Sequence, residues 1–262
     1  MTDPSKAAQY ILDQRRAGHR FQPATRWAGP GFDLAAAYDV QDRYVALLKA
    51  ECGQDVAGYK IGLTSPRMQA MCGVDQPIAG VVLASRLQSS PGRAKVSDHI
   101  RLAIECEIAV RLGRDPPGGG LALARDEVDV LIDRACAAFE IVDDAQADYA
   151  TLDAPSIVAD NSWNAGLLLG PDQPYDGGGL TGRQGVLYRN GEELDRGCSD
   201  DVLGDPLNVI AWLAGHLAAR GQGLKAGDWV TTGSIVTSKF VQPGEAYEFR
   251  VDGLEPVLFG VG

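Results

Sequence analysis

Three glutamates and a lysine carry the most direct chemistry in this chain. Glu105 and Glu107 lie two residues apart in RLAIECEIAVRLG (101–113), and Glu140 interrupts a second apolar run, AAFEIVDD (137–144). Alternate side chains of a strand share a face, so Glu105 and Glu107 point one way and Ile104, Cys106, Ile108 and Val110 the other. The bland account is an amphipathic strand with its polar face in water. Against it, Ala103 and Ala109 flank the pair on the glutamate side, where a solvated face would carry Lys, Thr or Gln. Three converging carboxylates would repel, and each would hold its proton more tightly unless a cation sat between them. An oxygen-only ligand set, with no His or Cys nearby in sequence, suits Mg²⁺ or Mn²⁺ rather than zinc. Spacing alone does not bring Glu140 to the pair, so both accounts stand at this point.

Other chemistries are poorly supported. His19, His99 and His216 are scattered without metal-ligand spacing, and His216 reads as a helix-surface or packing residue. The five cysteines (52, 72, 106, 136 and 198) are odd in number and contain no CxxC, which excludes a complete disulfide framework and the usual thiolate zinc site. They read as reduced thiols in a cytoplasmic protein. GPDQPYDGGG (170–179) lacks the lysine of a phosphate-binding loop. The net charge of −11 argues against nucleic acid and against an anionic membrane surface. A small anionic substrate stays compatible with it, because a bound cation inverts the local field. Neither a signal peptide nor a membrane span is expected.

The elements that must position these residues follow from pattern. Asp3-Pro4 caps a first helix with Ala8, Ile11 and Leu12 on its apolar face; a second starts at Asp33 and stops before Gly53. Beyond residue 55 the texture is strand-like: VAGYKIGLT (56–64), IAGVVLASRL (78–87), 100–113, a helix followed by a strand near 138–143, and NAGLLLG (164–170). Asn190-Gly191 marks a hairpin with a type I′ turn across 185–197. Asp205-Pro206 opens a helix to Gly221, and GDWVTTG, AYEFRVDG and EPVLFGV close the chain as strands. The expectation is one α+β catalytic domain over 56–262, preceded by a helical arm over 1–55.

The stretches GYKIGLTSPRMQAMCGVDQP (58–77), ECEIAV (105–110), FEIVD (139–143), SIVADNSWNAGLLLG (156–170), DPLNVIAWLAGHLAARG (205–221) and GLKAGDWVTTGSI (223–235) occur in order and cover most of the chain after residue 55. In these the sequence resembles the 2-keto-4-pentenoate hydratase and 4-oxalocrotonate decarboxylase group of the fumarylacetoacetate hydrolase superfamily. The resemblance implies a mixed β-sheet roll and a Mg²⁺ or Mn²⁺ site made by Glu105, Glu107 and Glu140. It implies Lys60 and Ser162 as catalytic groups, with Leu63, Asn161, Thr232 and Ser234 contacting substrate and Asp160, Thr231 and Gly233 nearby. Substrates of the group are short 2-oxo or 2-hydroxydienoic acids from aromatic catabolism, which chelate one metal ion through carboxylate and adjacent oxygen. Hydration is the leading reaction. One departure bears on it: position 78 is Ile, where hydratases of this group carry an acid and decarboxylases read Pro-Ile. Decarboxylation is therefore the alternative. A C–C hydrolase, which needs a His–Glu relay, and an inactive assembly partner rank lower. A homo-oligomer is expected, with residues 1–50 contributing to its interface, and association with a related hydratase or decarboxylase is a further expectation.

Overall fold

The computed structural model describes residues 3–29, 31–120 and 123–262. Its α-helices are α1 (Pro4–Arg16), α2 (Leu34–Cys52), α3 (Pro66–Met71), α4 (Arg125–Asp129), α5 (Ala154–Ala159) and α6 (Pro206–Ala219). The strands are β1 (Val56–Gly62), β2 (Ile78–Leu83), β3 (Leu87–Ser89), β4 (Gly92–Ala94), β5 (Leu102–Leu112), β6 (Ile132–Asp143) and β7 (Asn164–Leu169). After them come β8 (Gln173–Pro174), β9 (Gln184–Arg189), β10 (Glu192–Cys198), β11 (Trp229–Thr231), β12 (Lys239–Phe240), β13 (Ala246–Val251) and β14 (Val257–Val261).

Helix ends follow local chemistry. The Asp3 carboxylate accepts from the N–H groups of Ser5 and Lys6, Asp33 from Ala36, and Asp205 from Leu207, so each aspartate satisfies donors that the first turn leaves free. Gly53 ends α2 in a left-handed conformation, φ 65°. Asn190 and Gly191, at φ 52° and 86°, make the positive-φ turn between β9 and β10. The apolar stripe of α6 (Leu207, Ile210, Leu213 and Leu217) is buried in the core.

The main sheet runs β2-β1-β11-β5-β6-β7-β3, with β12 on β5 and β8 on β6; a second sheet runs β10-β9-β13-β14-β4. Parallel pairs (β1 with β11, β3 with β7, β4 with β14) sit among antiparallel ones, so both sheets are mixed. The main sheet curls until β2 meets β7. One expectation needs correction: the second glutamate strand begins at Ile132, not near 138, because α4 is only 5 residues long and β6 spans 12. Its alanines favour helix locally, but β5 and β7 pair along both edges of the strand and override that preference.

Inside the curl, the inward residues of β5 and β6 divide into two groups. Ala109, Cys136 and Ala138 join Val82, Leu167 and Trp229 in a small apolar plug separate from the main core. Glu105, Glu107 and Glu140 continue the same inward faces beyond it.

Candidate metal centre

The register of β5 on β6 places Glu105 directly opposite Glu140, with Glu107 opposite Ala138. One carboxylate oxygen from each glutamate lies within 4.8 Å of the other two. Glu107 and Glu140 are fully buried and Glu105 is half-buried. Lys60 of β1 reaches across to the group, its Nζ 3.2 Å from Glu140 Oε1.

Each carboxylate is held from outside the cluster. The backbone N–H of Gly233 donates to Glu107 Oε2 at 2.7 Å, Asn164 Nδ2 donates to Glu140 Oε1 at 3.2 Å, and the Ser238 hydroxyl donates to Glu105. Gly233 is required for its contact: at φ 109° a Cβ would lie 2.4 Å from Thr64 Oγ1. Burial, then the neighbouring carboxylates, push Glu107 well above the usual range. Burial pushes Glu140 up to about 7, against the opposing pull of Lys60. For Lys60 burial favours the neutral amine, but the three glutamates outweigh it and hold the ammonium charged.

Glu107 Oε1 and Glu140 Oε2 have no hydrogen-bond partner although both are buried. Two orphaned carboxylate oxygens beside a third carboxylate form a donor set that fits a hard divalent cation, which would satisfy both and remove the repulsion. None of the three histidines joins the cluster.

The remaining residues expected at the site surround it with different attachments. Leu63, just past β1, has φ 55°. Asn161 grips the outer edge of β2 at both ends of its amide, accepting from Val81 N–H at 2.7 Å and donating to Val81 O at 2.8 Å. The Ser162 hydroxyl donates to Ala79 O at 2.9 Å, and Gln41 and Tyr38 bond the same residue. Thr232 Oγ1 donates to Ile108 O, and Ser234 Oγ accepts from Cys106 N–H while donating to Val236 O. The free hydroxyl of the TTGS segment belongs to Thr231, whose Oγ1 is buried without a partner. Ile78 is buried beside Lys60: its Cγ1 and Lys60 Nζ lie 3.5 and 3.4 Å from where a Cβ on Gly62 would fall. Asn164 and Ser238 were not singled out by sequence reasoning, although Asn164 lies within the 156–170 stretch that carries the resemblance.

Asn161, Ser162 and Trp163 all have left-handed backbones, φ 50°, 51° and 60°. Asparagine tolerates that region, but for serine and tryptophan it costs roughly 1–2 kcal/mol each. Such strain persists only where the surroundings over-determine it.

Residues 76–261 match the family described as fumarylacetoacetate (FAA) hydrolase C-terminal. The chain belongs to the fumarylacetoacetate hydrolase family. Within this family it is 35% identical over 266 residues to a 2-keto-4-pentenoate hydratase of Burkholderia vietnamiensis (strain G4 / LMG 22486), covering 98% of each chain. It is 31% identical over 251 residues to a 4-oxalocrotonate decarboxylase of Pseudomonas putida, covering 95% of this chain and 93% of that one. The solved structure of 4-oxalocrotonate decarboxylase from Pseudomonas putida G7, complexed with magnesium and adipate, matches with a TM-score of 0.90 at 30% identity, covering 99% of this chain and 97% of that one. The fold also resembles that of a fumarylpyruvate hydrolase from Pseudomonas aeruginosa in complex with Mn²⁺ and pyruvate, with a TM-score of 0.60 at 16% identity over 78% of this chain and 88% of that one. The expected mixed-sheet α+β roll of this family is therefore the fold observed.

Proposed function

We propose that this chain is a divalent-metal-dependent lyase for short 2-oxo and 2-hydroxydienoic acids, a hydratase of the 2-hydroxypenta-2,4-dienoate (2-keto-4-pentenoate) type. The observation that carries the reading is the convergence of Glu105, Glu107 and Glu140 around two orphaned oxygens, with Lys60 at their edge. Full-length similarity to a 2-keto-4-pentenoate hydratase supports it. Glu105, Glu107 and Glu140 would hold Mg²⁺ or Mn²⁺, which as a Lewis acid stabilises negative charge developing on the oxygen next to the substrate carboxylate.

The chain's own groups divide the rest of the work. Lys60 is the titratable group beside the carboxylates, and its Nζ holds or delivers the proton that must move along the carbon chain when water adds across the conjugated double bond. Thr231 Oγ1, on the strand beside Glu107, is a buried hydroxyl free to bond a polar substrate atom. Ile78 closes the site beside Lys60 with an apolar surface that excludes water there.

Decarboxylation is the second reading, favoured by Ile78. The position that resembles the hydratase acid carries no proton donor, and the superposed magnesium-bound structure is a decarboxylase. Turnover of 2-hydroxypenta-2,4-dienoate with Mg²⁺, followed spectrophotometrically beside 2-oxo-hex-3-enedioate, separates the two. Loss of the first absorbance without CO₂ release is expected, CO₂ release from the second alone moves the assignment to decarboxylase, and inertness to both refutes the pair. A cytoplasmic setting and a homo-oligomer, with possible association with a related hydratase or decarboxylase, belong to this proposal.

A further inference from the structure

We propose that residues 160–164 are a rigid spacer that sets Lys60 relative to Glu140, and that Arg15 of the N-terminal helix is the positioning residue that locks it. This inference rests on the metal-centre reading above for its link to catalysis. Three consecutive non-glycine residues in the left-handed region make a turn that the chain does not hold unaided. Its two sides grip two different strands. On one side Asn161 bonds Val81 through both amide atoms and Ser162 bonds Ala79 O, bracketing Gly80. Gly80 is the register partner of Lys60, and the lysine stem lies across it. A Cβ on Gly80 would fall 3.0 and 3.1 Å from Lys60 Cγ and Cδ and 2.8 Å from Asn161 O, so lysine, strand and turn are packed without slack. On the other side Asn164 donates to Glu140.

The turn is anchored at its entry. Asp160 is buried and receives the guanidinium of Arg15 as a fork, with Nε 3.0 Å from each carboxylate oxygen and a further bond from Nη2. Arg15 Nη1 also lies 3.5 Å from Asp143 Oδ1. Asp143 in turn accepts from the N–H groups of Ile100, Arg101 and Ala145, which ties the far end of β6 to the same guanidinium. A planar five-donor group can bridge two carboxylates in this way, whereas an ammonium cannot reproduce the fork. Arg15 thus joins the segment before the turn to the strand that carries Glu140, although it touches no member of the metal cluster. In this account Asn161 and Ser162 act through backbone contacts with β2.

The test uses the full chain with Arg15→Lys, which keeps a cation for buried Asp160 and half-buried Asp143, and Asn161→Gly, which suits the positive φ but removes the grip on Val81. Mn²⁺ dissociation constants by electron paramagnetic resonance, kcat and KM taken separately, and thermal unfolding are the readouts. Both variants are expected to fold, to bind Mn²⁺ about tenfold more weakly and to lose kcat about tenfold with a smaller change in KM, as for other residues that orient ligands from behind. Wild-type Mn²⁺ affinity and kcat in both folded variants would overturn the spacer. Loss of kcat in Ser162→Ala with Mn²⁺ affinity unchanged would overturn it too, by making that hydroxyl catalytic. If the parent protein itself binds no Mn²⁺, the metal reading fails instead. The spacer is then judged by the crystal structure of Arg15→Lys, where an unmoved Lys60–Glu140 contact refutes it.

Discussion

The interior of the curled sheet has two ends built from the same strands, and they are held by opposite means. At one end Val82, Ala109, Cys136, Ala138 and Trp229 close into an apolar plug, with Leu167 at its border opposite Glu140. At the other, two and four residues along the same inward faces, stand Glu105, Glu107 and Glu140. Strand alternation delivers a side chain to the interior whether it is methyl or carboxylate. The plug stabilises by removing apolar surface from water, about 25 cal/mol per Å². The carboxylate end does the reverse, keeping like charges close and two oxygens without partners. The fold tolerates that end because the plug, Gly233, Asn164 and Ser238 over-determine its geometry. One end therefore carries stability and the other the proposed metal centre.

The largest expected effect breaks the functional end alone. Glu107→Gln keeps the shape but removes one of the three anions, so Mn²⁺ affinity and turnover should each fall by at least ~100-fold, beyond what residues behind the ligands cost. In EDTA the same variant should unfold no earlier than the parent, because a carboxyl group whose ionisation is opposed by burial and by its neighbours gives way to a neutral amide. Metal titration and thermal unfolding of one preparation check both halves. At the other end, Trp229→Ala, whose register partner Arg111 lies four residues from Glu107, should cost about 3–5 kcal/mol of stability by opening a cavity in the plug. Denaturant unfolding reads that loss, and Mn²⁺ affinity of the folded protein should stay near that of the parent. A variant set in which Trp229→Ala lost metal and Glu107→Gln lost stability would erase the distinction between the ends.

Gly233→Ala touches both functions at intermediate size. A methyl group at φ 109°, pressed against Thr64, should cost about 1–3 kcal/mol. It should also weaken Mn²⁺ binding, because the N–H that orients Glu107 moves with it. Parent-like metal affinity in the folded variant would show that Glu107 needs no such support.

Some of this was legible in the sequence and some was not, for physical reasons. Helix starts at Asp3, Asp33 and Asp205 and the turn at Asn190-Gly191 are local chemistry, readable from a few neighbouring residues. The length of β6 was not, because its alanine-rich start takes its conformation from β5 and β7. The E-x-E face of β5 was readable from alternation. The arrival of Glu140 opposite Glu105 depends on a long-range register, and only resemblance to a family anticipated it. Asn161, Ser162, Thr232 and Ser234 were placed near the site, but residue type does not reveal that their side chains bond backbone. Arg15 had no local signal, since its partner Asp160 is 145 positions away.

The smallest expected effect asks whether a half-buried titratable group outside the curled sheet also carries a cost. His216 on α6 stacks on Trp212 with ring centroids 5.0 Å apart and lies 4.4 Å from the Tyr38 ring of α2. The Arg220 guanidinium sits 4.7 Å from that same tyrosine ring. Burial, and then Arg220, push the imidazole down to about 4 from its ordinary 6.5. The folded protein thus holds this proton less tightly than the unfolded chain. The contribution is fully present above 6.5, and stability falls as pH drops from 6.5 towards 4, where the neutral ring must charge or the chain must open. Urea unfolding at pH 7 and pH 5 in EDTA, compared between the parent and His216→Gln, isolates this from the carboxylates common to both. The parent should lose more stability than the variant over that interval, by a modest margin because the ring is partly exposed. Equal losses would mean that His216 gives up no stability by being packed neutral, and that the cost of burying a titratable group is confined to the glutamate end.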